Sequence, residues 1–218
     1  MNSITPDVGL KAIDVIIKLL PFLKTWTGQR RREYFEKLIT PLYTSFEEIH
    51  EFYVELILQT RDAVAALNAE SRSFQGEPID SIGTKRSLTE FLEKFSRRRM
   101  KDEHLRDTLR QDAQVFLSRI TWSEERRFLV SVCFYFLQSG SINPEERILD
   151  REATEVIARG GVTYWDTPSM RLYKALQEAK TAESVLDVLD EARHELNQRY
   201  MNARIAYRKI QNALVMET

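Results

Sequence analysis

The stretch from Pro6 to Lys24 constrains this chain more than any other. Its polar residues Asp7, Lys11, Asp14, Lys18, Pro21 and Thr25 recur at alternating steps of four and three, which traces one narrow stripe along a helix. Between them lie Val8, Leu10, Ile13, Val15, Ile16, Ile17, Leu19, Leu20, Phe22 and Leu23, with Trp26 just after the last. A helix apolar over most of its circumference has to be covered by the protein's own helices, by a partner or by lipid. Thr5-Pro6-Asp7 supplies its start: an N-cap hydroxyl, a proline at the first helical position and an acid at the positive end of the dipole. Asp7 with Lys11 and Asp14 with Lys18 pair at i,i+4. Pro21 is expected to bend the helix, which ends near Thr25–Gly28.

The remainder of the chain can provide that cover. At 218 residues, 43% of them hydrophobic, the sequence is long enough to bury a sizeable core. Seven glycines and six prolines are too few for the turns of a sandwich or barrel, so the fold class is all-α. The apolar positions Phe35, Ile39, Leu42, Phe46, Ile49, Tyr53, Leu56, Ala63 and Leu67 hold one phase from about 29 to 70. They predict one long helix, on the order of 60 Å, kinked at Pro41; a fresh start at the capping box Ser45-x-x-Glu48 is the alternative. The polar segment 68–87, with Gly76, Pro78 and Gly83, is the candidate hinge loop.

Beyond it, Ser87-Leu88-Thr89-Glu90 opens one helix or two through Leu92, Phe95, Leu109 and Ile120. Thr121-Trp122-Ser123-Glu124 caps the next, whose run Phe128–Leu137 is apolar on every side and is expected at the middle of the core. Shorter helices start at Asn143-Pro144 and Thr167-Pro168. The last begins after Thr181 and carries Leu189, Ala192, Leu196, Tyr200, Ala203, Tyr207, Ile210 and Leu214 on one coiled-coil-like seam. The sum is an elongated multi-helix bundle of about seven helices, with long near-antiparallel helices and a single domain over 1–218.

Composition also bounds function. A net charge of −1 gives no global pull toward nucleic acid, which is not an expected partner. The single cysteine, Cys133, lies inside an apolar run and reads as a buried thiol. The leading MNSITPD has no Lys or Arg, unlike the charged start of a secretory signal. Lys11, Asp14 and Lys18 interrupt the first helix as a membrane span. A cytoplasmic setting, at most peripheral to a membrane, is the expectation.

Three constellations bear on chemistry. Glu47-x-x-His50 and Glu191-x-x-His194 resemble the paired Glu-x-x-His motifs of ferritin-like oxygen-binding bundles, a resemblance that implies a metal site between facing helices. Glu191 and His194, however, share their side of the last helix with Asp187, Asp190 and Gln198, so no metal or other cofactor is expected. Arg99-x-x-x-x-His104 is similar to the Arg–His pattern of HEPN-type helical ribonucleases, which implies metal-independent RNA cleavage by Arg99 and His104; Met100 stands where that family has a polar residue. Arg30-Arg31-Arg32, with Lys24 before it, follows the first helix and could lie against anionic headgroups.

The leading expectation is a non-enzymatic interaction or adaptor protein whose amphipathic N-terminal helix docks in the bundle or on a protein partner. A homo-oligomer is compatible with it. Leu10, Ile13, Ile17, Leu20, Lys24, Arg30, Arg31 and Arg32 are its candidate contact residues. A membrane-associating effector using 6–24 and 30–32 is the alternative, and the ribonuclease is the third reading.

Overall fold

Pro41 sets the shape of the long first half of the fold. It has no amide proton to give the Lys37 carbonyl, and its ring occupies the space where that carbonyl would point. The helix answers by widening one turn. In the computed structural model, α2 (Arg31–Tyr34) passes into a π-helical turn (Phe35–Ile39) and then α3 (Thr40–Ser73), with the Thr40 amide donating to the Phe35 carbonyl. The path is therefore helical without interruption from Arg31 to Ser73. Ser45 starts nothing new, and the first residues of the expected hinge loop, Asn68 to Ser73, belong to the helix.

The structure describes residues 6–25, 30–73, 89–91, 93–94, 104–105, 108–109, 120–137, 178–179 and 181–216. Besides α2 and α3 it holds α1 (Pro6–Thr25), α4 (Ser123–Leu137) and α5 (Ala182–Met216). No strand occurs among the described residues, and the fold is all-α. Most of the segment 74–119, and the shorter helices expected to start at Asn143-Pro144 and Thr167-Pro168, lie outside the described residues.

Contacts fix how the long helices run. From Arg32 on Leu214, through Phe35 and Tyr43 on Tyr207 and His50 on Tyr200, to Arg61 on Asp190, rising numbers in α2–α3 meet falling numbers in α5. These two are antiparallel. Against α4, Tyr34 meets Trp122, Tyr43 meets Phe128 and Phe46 meets Tyr135, so α4 runs parallel to α3. All nine residues from Phe128 to Phe136 are buried, including Ser131 and Cys133, as a helix enclosed on every side requires. The α5 seam buries Leu189, Tyr200, Ala203, Tyr207, Ile210 and Leu214, with Ala192 and Leu196 half-buried beside it. Its start is a reciprocal cap: the Ser184 amide donates to Thr181 Oγ1 and the Thr181 amide to Ser184 Oγ, both at 3.1 Å.

Helix α1 packs on α3 and the π turn. Ala12, Ile13, Ile16 and Leu20 are buried, each large side chain contributing about 2 kcal/mol. Lys11, Val15, Lys18, Pro21 and Phe22 are exposed. Part of the predicted polar stripe is therefore the outward side of a docked helix. No helix among the described residues is long and apolar enough to cross a membrane.

Candidate functional site

Tyr43, Glu47 and His50 follow one another at i,i+4,i+7 on the face of α3 that meets α5. Tyr200 and Tyr207 answer from α5 with the same seven-residue spacing, and Tyr135 closes the group from α4. Glu47 Oε1 accepts a hydrogen bond from Tyr43 Oη at 3.0 Å and another from Tyr200 Oη. The two hydroxyls lie 3.0 Å apart. The His50 imidazole stacks on the Tyr200 ring with centroids 4.0 Å apart, and its Nδ1 is 3.2 Å from Tyr135 Oη. Tyr207 stacks on Tyr43 at 4.0 Å, and its hydroxyl lies 3.3 Å from Thr40 Oγ1.

The electrostatics of this cluster favour neutral rings. Burial pushes His50 down to about 4, against a bond with Asn197 and the Glu47 charge, which both favour the imidazolium. Burial raises the Tyr200 phenol, and its bonds to Glu47 and Tyr43 raise it further. Tyr43 is also raised, first by burial, with its contact to the Tyr200 hydroxyl opposing. The cluster is the Glu47 side chain held by two phenols beside an imidazole that is uncharged at neutral pH. Its polar atoms bind one another, which fixes the register of α5 on α3.

The two Glu-x-x-His pairs do not converge. Glu47 and His50 face α5 and α4, whereas Glu191 and His194 are exposed on the outer side of α5, where His194 Nε2 lies 2.7 Å from Gln198 Nε2. Among the described residues no three His, Cys, Asp or Glu are grouped to hold a metal. His104 is exposed on a helical turn, its carbonyl accepting from Thr108 Oγ1; Arg99 lies outside the described residues.

The three arginines part company. Arg31 forks onto Glu125, Nε to Oε1 at 2.6 Å and Nη2 to Oε2 at 3.2 Å, and the Glu125 side chain is 0% exposed. Arg32 Nη2 donates to the Leu214 carbonyl at 3.3 Å, serving an orphan acceptor at the end of α5. Arg30 is exposed. Two of the three thus join the start of α2 to the start of α4 and the end of α5.

On α1, Ile13 and Leu20 are buried and Ile17 is half-buried against the core, so these predicted contact residues meet the bundle itself. The side chains of Leu10 and Lys24 lie outside the described residues. What α1 turns outward is the line Lys11, Val15, Lys18 and Phe22, with Phe22 60% exposed. Sequence reasoning missed Val15 and Phe22, because apolar residues on a largely apolar helix carry no mark of which side faces out. It also missed Glu125, whose burial depends on an arginine 94 residues away.

Comparison of the chain with protein-family models, with curated proteins and with solved structures finds no match.

Proposed function

We propose that this chain acts by binding rather than by catalysis: a cytoplasmic helical scaffold whose α1 engages a protein partner with the side it turns away from α3. The observation that carries this reading is the exposure of Phe22 on a helix whose opposite face, Ile13, Ile16 and Leu20, is held by the bundle. An exposed aromatic next to Val15 and two lysines has the composition of a binding anchor with a polar rim. The closed hydrogen bonding of Tyr43, Glu47 and Tyr200 supports a structural role for the polar seam. The same reading takes the whole chain as one elongated bundle of about seven helices, the further ones supplied by the segments 88–120, 144–160 and 168–176.

Point substitutions test it better than deletion, since removing 1–24 would strip the cover from α3. Phe22→Asp and Val15→Asp change exposed positions and should therefore leave the fold intact. A protein cross-linked from α1 in the intact chain is lost in both variants if the reading holds; its retention in both contradicts it.

A second reading rests on Lys11 and Lys18, which alternate with Val15 and Phe22 along the exposed line. Such a face can lie on an anionic lipid surface at about 1 kcal/mol per basic residue. Flotation of the intact chain with phosphatidylserine-containing vesicles at low salt decides it. Co-flotation that Phe22→Asp abolishes favours lipid, and no co-flotation removes this reading.

A further inference from the structure

Helix α5 has two sides of opposite character. Its inner seam is buried against α3 and α4, while the positions that step by four and three from Asp187 to Val215 are all exposed. That outer stripe is not uniformly polar. Met201 and Ile205, 43% and 40% exposed, form an apolar pair at its middle. Acids occupy its first half, at Asp187 and Glu191, and a base its second, at Arg208. From Leu196 to Met216 the helix contains no Asp or Glu at all, whereas Ala182 to Glu195 holds five.

The helix dipole accounts for acids in a first turn and bases in a last turn, and its influence fades within that turn. Glu191 is more than two turns inside the start and Arg208 about two turns inside the end. Within the chain Asp190 is held by Arg61 and Arg193, and Glu195 by Arg199; Asp187, Glu191 and Arg208 call for another cause. A helix that is acidic in one half and basic in the other is self-complementary in one arrangement only: turned end for end, each half meets its opposite. Side by side in parallel, like would face like.

We propose that the outer stripe of α5 pairs antiparallel with the same stripe of a second copy of this chain. A two-fold axis beside Met201 sets Met201 against its counterpart and Ile205 over Gln198 of the second copy. It brings Glu191 of each copy within one turn of Arg208 of the other. The contact is isologous, as a closed dimer requires, and its apolar centre is small, so the dimer is reversible and salt-sensitive.

The test is sedimentation velocity of the intact protein across a wide concentration range, with circular dichroism of each variant as the check on folding. The expected result is a monomer–dimer equilibrium that Ile205→Asp abolishes. Glu191→Arg and Arg208→Glu should each weaken it at least about tenfold, and the double variant Glu191→Arg/Arg208→Glu should recover most of the loss. A monomer at every concentration overturns the proposal. So does a dimer indifferent to Ile205→Asp, or single reversals that the double does not rescue.

Discussion

The imidazole of His50 lies flat on the ring of Tyr200, centroids 4.0 Å apart and planes 3° from parallel. This contact crosses from α3 to α5 at a buried position, where an uncharged ring is favoured. Burial holds His50 at about 4 in the folded state, against an ordinary value of 6.5. Between those values the unfolded chain binds more protons, so stability falls as pH drops from 6.5 to 4, by up to about 3 kcal/mol. Glu51, raised by partial burial and then by Glu47 and Glu48, works in the opposite direction, but its exposure keeps that contribution small. Urea unfolding at pH 7.5 and pH 5 checks the sign, and His50→Phe, which keeps a ring in the stack, should flatten the acid limb.

Glu47 holds two phenols, and the three groups should behave as a unit. Tyr43→Phe and Tyr200→Phe each remove one donor to Glu47 Oε1, with an expected cost of about 1–3 kcal/mol. In the double variant the costs should not add, because both hydroxyls serve the same oxygen. A thermodynamic cycle from chemical denaturation measures the coupling.

The Arg31–Glu125 pair joins α2 to α4 with its carboxylate fully buried. Removing either partner breaks a pair whose carboxylate is buried: Glu125→Ala or Arg31→Ala should cost about 3–5 kcal/mol. The double substitution Arg31→Met/Glu125→Leu should cost less than either single change. Melting of the three variants checks that order.

Cys133 is buried inside α4, and burial pushes its thiol up to about 12. It should stay unmodified by a thiol reagent in the native protein and react at once in denaturant. Labelling followed by mass spectrometry reads the difference.

How far the sequence foretold this fold depends on whether a residue's role is set along its own helix or across the core. The α5 seam of Leu189, Ala203, Tyr207 and Leu214 was legible, because its period is a property of that segment alone. The polar stripe of α1 was legible for the same reason, through Lys11 and Lys18. Continuity through Pro41 was expected as a kink, but the π turn that delivers it depends on how the Phe35 carbonyl is satisfied. The pairing of His50 with Tyr200, and of Arg31 with Glu125, depends on the register of helices far apart in sequence. No local pattern carries that information.

The central claim is that α1 is docked by one face and binds a protein with the other. Ile16→Ala, at a position 0% exposed, should cost about 2–5 kcal/mol, whereas Phe22→Asp should stay within about 0.5 kcal/mol of the parent.

The most direct measurement places a photo-activated cross-linker at Phe22 of the intact chain, with one at the exposed Gln211 as control. The account predicts a discrete protein adduct from position 22 that is absent from position 211 and disappears with Val15→Asp. No protein adduct from position 22, or the same adducts from both positions, would contradict it.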